Sequence, residues 1–320
     1  MQWIDAAAID QLFDYPTLCE ALARAHRTSP PITSTFHLQH PGSAESFMLR
    51  PAWSKHQMLG VKLATTFPDN RDLTPSRPSI QGLYVAFDGA TGAPSFMADG
   101  ATLTAWKTAA DSALGLDLLA PPNVETMLMI GAGEMAGHLI NAFTALRPSI
   151  RNIAIWNRTT SRASELADRL NLERVGVRVV DDLKKEIPKA QIICSATMSD
   201  QPLILGARVT PGTHVSLVGS WLPHMREVDD ALIATAQIYV DYRPTALASG
   251  ELHIPIQNRV ITPDDVLGDL FDLCRSTTDR PSANRTTIYK NAGGGHLDLY
   301  TAQHLAALAN RQDPPEKFKR

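Results

Sequence analysis

The sequence predicts an α/β protein in which a doubly wound parallel sheet is inserted into a second, α+β domain with a largely antiparallel sheet. Three observations predict it. Six short apolar runs alternate with helical patterns between residues 127 and 240, and a glycine-rich turn follows the first of them directly. Before them, residues 33–100 break into short strand-like stretches separated by Pro and Gly. At roughly 100–200 residues per domain, a chain of 320 residues has room for two such units.

In order along the chain, the first ~25 residues read as helical, because Ile4, Ile9, Leu12, Phe13, Leu18 and Leu22 fall near helical spacing, with a break at Pro16. Residues 46–50, 58–63 and 83–88 read as strands, with turns at Asp88-Gly89 and Thr91-Gly92. Residues 68–78 form a polar loop long enough to be a functional flap. A helix is expected over 104–120, stopped by Pro121-Pro122. That pair sets the expected boundary. Residues 1–120, completed by about 293–320, make the substrate-binding and dimerisation domain, and 121–292 the inserted one.

Within the insert the six strands are expected at 127–130, 153–156, 177–180, 190–194, 215–218 and 238–240, with helices at 135–146 and 161–170. Residues 267–271 read as a further short helix, followed by an irregular stretch and the run Gly293-Gly294-Gly295. The final helix, around 297–309, is expected to pack back on the first domain.

Composition narrows the function classes. Lys+Arg is 30 and Asp+Glu is 33, a net charge of -3, which argues against nucleic acid or an anionic membrane as partner. The basic tail Lys317-Phe318-Lys319-Arg320 is short and is read as solvated. Cys19, Cys194 and Cys274 follow no metal-ligand spacing, so no metal site is expected, and an odd count without a framework fits a reducing compartment. Residues 1–5 carry no basic segment leading into an apolar stretch, and no apolar run approaches the ~18 residues needed to span a bilayer. The expectation is a cytoplasmic protein.

The glycine turn, Gly131-Ala132-Gly133-Glu134-Met135-Ala136, carries specific chemistry. The first glycine makes the tight turn, the second lets backbone approach a pyrophosphate, and the small Ala136 permits close helix–strand packing. Phosphate then meets free N–H groups at the helix N-terminus. This is a Rossmann-type cofactor site, and Gly131, Gly133, Glu134 and Met135 are its expected core. The alternative is a purely structural glycine turn. After the second strand come Asn157, Arg158, Thr159 and Arg162, with no carboxylate for a ribose 2′-OH. The two arginines favour the 2′-phosphate of NADP(H), with NAD(H) as the alternative if Arg158 is only a solvated surface residue. Thr197 and Met198, beyond the strand 190–194, and Val218, ending the strand 215–218, are the remaining cofactor candidates.

A further set of residues occurs in a telling order. Arg50 stands in a Leu-Arg-Pro context, and Gly60-Val61-Lys62 and Thr104-Ala105-Trp106-Lys107-Thr108-Ala109-Ala110 follow. The Gly131 turn comes next, then Val218-Gly219-Ser220 ahead of Arg226-Glu227-Val228-Asp229. Together they resemble the ornithine cyclodeaminase/mu-crystallin family over nearly the whole chain. The resemblance implies a homodimer built from the non-nucleotide domain, with the active site in the cleft between domains. That family includes ammonia lyases, alanine dehydrogenases, cyclic imine reductases and a hormone-binding crystallin, so membership alone does not name a reaction.

The departures discriminate. Trp221 stands where cyclodeaminases carry an aspartate, which argues against cyclodeamination, and Lys107 stands where most members have arginine. The segments 106–113, 223–227 and 290–298 look like the branch of Δ1-pyrroline-2-carboxylate reductases. The implied reaction is reduction of that cyclic imine, or also of Δ1-piperideine-2-carboxylate, to L-proline or L-pipecolate. Alternatives are an alanine dehydrogenase-like enzyme using pyruvate plus ammonia, ornithine cyclodeaminase, and a non-catalytic NADPH-binding protein.

Reduction needs a carboxylate anchor, a hydride at carbon and a proton on nitrogen. The resemblance points to Arg50 and Lys62 as anchors, although without it both read as surface cations on a strand face. Lys62 is alternatively the proton donor, since a buried lysine near other cations has a lowered pKa. Lys107 is expected at the cofactor phosphates or the substrate carboxylate, and Ser79 near nicotinamide and substrate. His296 is either a proton donor or a capping or core histidine, with Asp298 orienting it. Ring-size preference and the identity of the donor stay open.

Overall fold

The computed structural model describes residues 1–276, Pro281 and 284–312. The expected tail at 317–320 and much of the irregular stretch after 276 lie outside the described residues. The chain forms two compact units, Met1–Lys107 joined by the segment from Gly294 onward, and Thr108–Gly293.

The first unit opens with β1 (Gln2–Ile4), α1 (Ala6–Leu12) and α2 (Tyr15–His26). The strand β1 departs from the all-helical reading of this region, because it pairs in parallel with a strand nearly a hundred residues on, a partner no local pattern announces. The break expected at Pro16 lies at residues 13–14, between α1 and α2, just before that proline. Pro16 sits in the first turn of α2, where a missing N–H costs nothing, and Asp14 caps that turn by accepting from Thr17 N at 2.9 Å. There follow β2 (Ile32–Thr33), β3 (Phe36–Gln39), β4 (Ser46–Ser54), β5 (Met58–Thr66), β6 (Ile80–Asp88), β7 (Pro94–Asp99) and α3 (Gly100–Leu119). The sheet order is β1-β7-β6-β5-β4-β2, with β3 on β4, and every pairing but β1–β7 is antiparallel.

Strand alternation gives this sheet two chemically different faces. In β5, Met58, Gly60, Lys62 and Ala64 are buried, while Leu59, Val61 and Leu63 face the other way and are half-exposed. The buried face lies under the last helix, α11 (Gly295–Gln312), which also packs on α2.

The second unit contains β8 (Thr126–Ile130), α4 (Glu134–Leu146), β9 (Asn152–Trp156), α5 (Thr160–Arg169), β10 (Gly176–Val180), α6 (Leu183–Glu186) and β11 (Ile192–Ser195). It continues with β12 (His214–Leu217), α7 (Asp230–Thr235), β13 (Gln237–Val240), α8 (Arg243–Ala246), α9 (Gly250–Gln257), β14 (Val266–Asp269), α10 (Leu270–Arg275) and β15 (Thr287–Lys290). All eight strands are parallel, in the order β10-β9-β8-β11-β12-β15-β13-β14. The order reverses between β8 and β11, and such a switch point opens a crevice at the carboxyl ends of the strands. Two strands exceed the six expected. Residues 267–271 are half strand and half helix, split where the Asp269 side chain caps α10, and β15 was hidden in the stretch read as irregular.

The boundary also differs from Pro121-Pro122. It falls inside α3, because the second half of that helix is tied to β15 and its exit. Tyr289 Oη donates to Asp111 at 2.7 Å, and Asn291 Nδ2 donates to Thr108 O and Ser112 Oγ at 3.0 Å each. Gly115 lets the helix approach: a Cβ there would lie 2.6 Å from the Tyr289 ring. Gly115→Ala is therefore expected to lower unfolding stability by about 1–3 kcal/mol, as over-packing does, measured by urea denaturation. An unchanged midpoint would contradict the close packing.

Candidate active site

On the buried face of the first sheet, register places Arg50 of β4 opposite Lys62 of β5, and Lys62 opposite Tyr84 of β6. Lys62 Nζ donates to Thr104 Oγ1 at 2.6 Å, and that hydroxyl donates to Gly100 O at 2.5 Å. One helical turn further along α3, Lys107 Nζ meets Asp298 Oδ1 of α11 at 2.6 Å, with both side chains almost completely buried. Arg50 donates to Met48 Sδ at 3.5 Å, and its Nε is buried without a partner among the described residues. Three cations thus share one carboxylate.

Electrostatics follow from that imbalance. Burial pushes the Lys62 pKa down to about 7, Lys107 and Arg50 push the same way, and Asp298 opposes them. Burial alone would raise the Asp298 pKa, but Lys107, Lys62 and Arg50 outweigh it and hold the carboxyl below its usual range. The Tyr84 hydroxyl is buried without a hydrogen-bond partner among the described residues, and burial followed by Asp298 keeps it protonated. Gly60 makes room for it, since a Cβ there would lie 1.9 Å from the Tyr84 oxygen. That is a physical reason for the glycine in Gly60-Val61-Lys62.

His296 opens α11, packed against Gly294 and edge-on to the His26 ring at 5.5 Å. Burial first, then His26, Lys107 and Arg50, depress its pKa well below the usual histidine value, so it is a neutral imidazole near pH 7. Of the residues named from sequence, Arg50, Lys62, Lys107, His296 and Asp298 come together. Lys107 is paired with Asp298 within this unit. Ser79 stands elsewhere: its hydroxyl donates to Pro68 O at 3.3 Å, and its carbonyl accepts from Phe67 N at 2.7 Å, closing the base of the polar loop. Tyr84, Thr104 and His26 were missed, because only strand register and helix packing bring them in.

In the second unit the glycine turn has the features a dinucleotide requires. Gly131 has φ +107°, and a Cβ there would lie 2.7 Å from Ala196 O. Gly133 is the N-cap of α4 and offers no side chain to the free N–H groups, while a Cβ there would meet nothing within 4 Å. Open space thus faces a bare helix N-terminus, which fits a pyrophosphate. Glu134 is exposed in that first turn and Met135 is half-buried. Asn157 braces the turn, accepting from Ala132 N at 3.2 Å and donating to Thr159 O at 2.8 Å. Arg158, Thr159 and Arg162 are exposed at the start of α5.

Thr197 is held from behind: its N–H and hydroxyl both donate to Glu227 Oε1, at 2.8 and 2.7 Å. Val218 N donates to Ser195 O at 2.8 Å, and Met198 is exposed. A buried network missed from sequence lies beneath these loops. Ser195 Oγ also donates to Glu227 at 2.6 Å, Ser220 Oγ donates to Glu251 Oε2 at 2.6 Å, and Lys290 donates to Gly219 O. Among the described residues no group of three or more His, Cys, Asp or Glu is arranged to hold a metal, and no helix is long and apolar enough to cross a membrane.

One unit holds a switch-point parallel sheet with an open glycine turn, and the other groups Arg50, Lys62 and Lys107 around Asp298, which together define a two-unit dinucleotide-type fold. A sequence profile of the ornithine cyclodeaminase/mu-crystallin family matches residues 9–307, and the chain belongs to that family. A Δ1-pyrroline-2-carboxylate reductase of Paracoccus denitrificans is 40% identical over 96% of this chain and 93% of its own. The structure of a Thermococcus litoralis Δ1-pyrroline-2-carboxylate reductase with NADH and L-proline matches with a TM-score of 0.91 at 22% identity, over 98% of both chains. An iminosuccinate reductase of Paracoccus denitrificans with NAD+ matches with a TM-score of 0.88 at 25% identity, over 98% of this chain and 97% of that one.

Proposed function

We propose that this chain is an NAD(P)H-dependent reductase of Δ1-pyrroline-2-carboxylate, yielding L-proline, with Δ1-piperideine-2-carboxylate as a second substrate. The observation that carries the reading is the excess of buried positive charge around Asp298, which an anionic small molecule would neutralise. The 40% identical relative of that activity supports it.

In this reading Arg50 supplies the fork for the substrate carboxylate, since its guanidinium has unused donors on a buried face. Lys62, poised near neutrality, gives a proton to the imine nitrogen, and Thr104 fixes where its ammonium points. Lys107 is committed to Asp298, so its part is to keep that carboxylate ionised and in place rather than to hold phosphate. His296, a neutral ring on this helix, packs the wall of the cluster. Ser79 holds the base of the neighbouring loop. Gly131, Gly133, Glu134 and Met135 would receive the pyrophosphate, with Asn157, Thr197, Met198 and Val218 around the rest of the dinucleotide. When bound, NAD(P)H supplies the hydride that adds to the imine carbon while nitrogen gains a proton.

NADP(H) is the preferred cofactor in this reading, because Arg158 and Arg162 stand exposed where NAD-selective sites place a carboxylate. The chain is proposed to be a homodimer. The outer face of the first sheet carries the exposed apolar side chains of Phe47, Trp53 and Leu83, the kind of surface that a second copy would cover.

Purified protein is expected to oxidise NADPH with the cyclic imine and to form proline. Arg50→Ala is expected to lose activity by about a hundredfold or more, as loss of a charge-paired anchor of ~3 kcal/mol or more implies. Release of ammonia from ornithine instead, or turnover of neither compound, would overturn the reading. In the same assay Arg158→Ala is expected to lose its preference for NADPH over NADH, and an unchanged preference would remove the 2′-phosphate argument. Light scattering checks the dimer, where a mass of one chain would refute it.

A further inference from the structure

Among the described residues, Arg50 is the one cation of its cluster held by sulfur rather than oxygen. Its Nη2 donates to Met48 Sδ at 3.5 Å, whereas Lys62 meets a hydroxyl and Lys107 a carboxylate. Met48 and Arg50 are next but one on β4, so strand alternation sets both on the same face of the sheet. Met48 lies opposite Ala64 of β5 as Arg50 lies opposite Lys62. Along that face Ala52 is buried, while Arg50 and Met48 are half-buried. The arginine–sulfur pair therefore sits toward the less covered end, within reach of small solutes.

A thioether is a weak acceptor. Its polarisable sulfur can rest a guanidinium, but it cannot hold one against a carboxylate, whose charge-assisted bonds are about twice as strong as neutral ones. An oxygen acceptor in the same place would keep part of the fork for itself. We propose that Met48 is a redox-sensitive positioning residue: as a thioether it parks Arg50 and yields it to the substrate carboxylate, and as a sulfoxide it retains the guanidinium and weakens the hold on that anion. The switch rests on the imine reductase reading above, since only there does Arg50 hold a substrate carboxylate. Hydrogen peroxide is the oxidant. A sulfur lone pair attacks one peroxide oxygen, the S–O bond forms as the O–O bond breaks, and peroxide is reduced to water while the thioether is oxidised. The new oxygen stands on the atom that already meets Nη2, so the fork loses one arm. Lys62 is held separately by Thr104, so proton delivery survives while substrate affinity falls.

The test treats full-length enzyme with dilute hydrogen peroxide and maps oxidised methionines by peptide mass spectrometry. KM for Δ1-pyrroline-2-carboxylate is expected to rise about tenfold in step with sulfoxide at Met48, the worth of one hydrogen bond to a charged group. Over the same course kcat is expected to fall less than about threefold, and the NADPH dissociation constant to stay within about twofold. Methionine sulfoxide reductases acting on both epimers are expected to restore the original KM. Met48→Leu, of similar volume but without sulfur, is expected to lose the peroxide response even as Met198, 64% exposed, is oxidised. Met48→Gln, which brings an amide oxygen to the guanidinium, is expected to show the raised KM without peroxide. A Met48 that peroxide leaves reduced, an oxidised Met48 with unchanged KM, a Met48→Leu enzyme as sensitive as wild type, or a Met48→Gln enzyme with the wild-type KM would each overturn the switch. Wild-type protein inactive on cyclic imines before any peroxide overturns the reductase reading and the switch together, whereas active enzyme giving any of those four results overturns the switch alone.

Discussion

Arg50, Lys62 and Lys107 share one buried carboxylate, Asp298, and the rest of the first unit is arranged around that imbalance. A buried ion pair gains little over an apolar pair of the same shape, yet breaking one costs about 3–5 kcal/mol because a bare charge is left behind. Lys107 and Asp298 satisfy each other at 2.6 Å, which leaves Arg50 and Lys62, among the described residues, as positive charge without an acidic partner of their own. Lys62 answers by shedding its proton easily, with a pKa of about 7. An anion arriving beside these two groups would repay their desolvation.

The second unit stores its constraint differently. Its carboxylates, Glu227 and Glu251, are buried among backbone N–H groups and hydroxyls rather than set against a matching number of cations, with Lys290 as the nearby positive charge. Burial, followed by Glu251, raises the Glu227 pKa, while Lys290, Ser195 and Thr197 pull it back. What these groups fix is the set of loops at the carboxyl ends of the strands. The glycine turn after β8 needs no such bracing beyond Asn157, because its geometry is built into Gly131 itself. Fixed loops over an open helix end suit a ligand whose reactive ring must be placed to within a fraction of an ångström.

The parts that were legible in the sequence are those whose cause is local. A strand, Gly131-Ala132-Gly133 and a helix are contiguous, so strand, turn and helix start are read together, and the apolar runs of β8, β9, β11 and β12 announce strands buried in the sheet. What was not legible depends on partners far along the chain. The three-residue β1 exists only because β7 lies beside it, and Tyr84 joins Lys62 only through strand register. Asp298 meets Lys107 across nearly two hundred residues, and Glu227 and Glu251 look like ordinary surface acids in a linear text. The family resemblance named Arg50 and Lys62, which strand register sets opposite one another, but their low-dielectric setting is a property of packing alone.

Lys62 is a buried amine whose charge is expected to respond to a bound carboxylate. Lysine side chains labelled with 15N, followed by NMR across a pH titration and assigned with Lys62→Arg, report it directly. The Lys62 signal is expected to titrate near pH 7 in the free protein, charged below and neutral above, and to move to higher pH when L-proline is bound with oxidised cofactor. A Lys62 that titrates near the ordinary lysine value of about 10.4 and ignores the ligand would contradict the central claim.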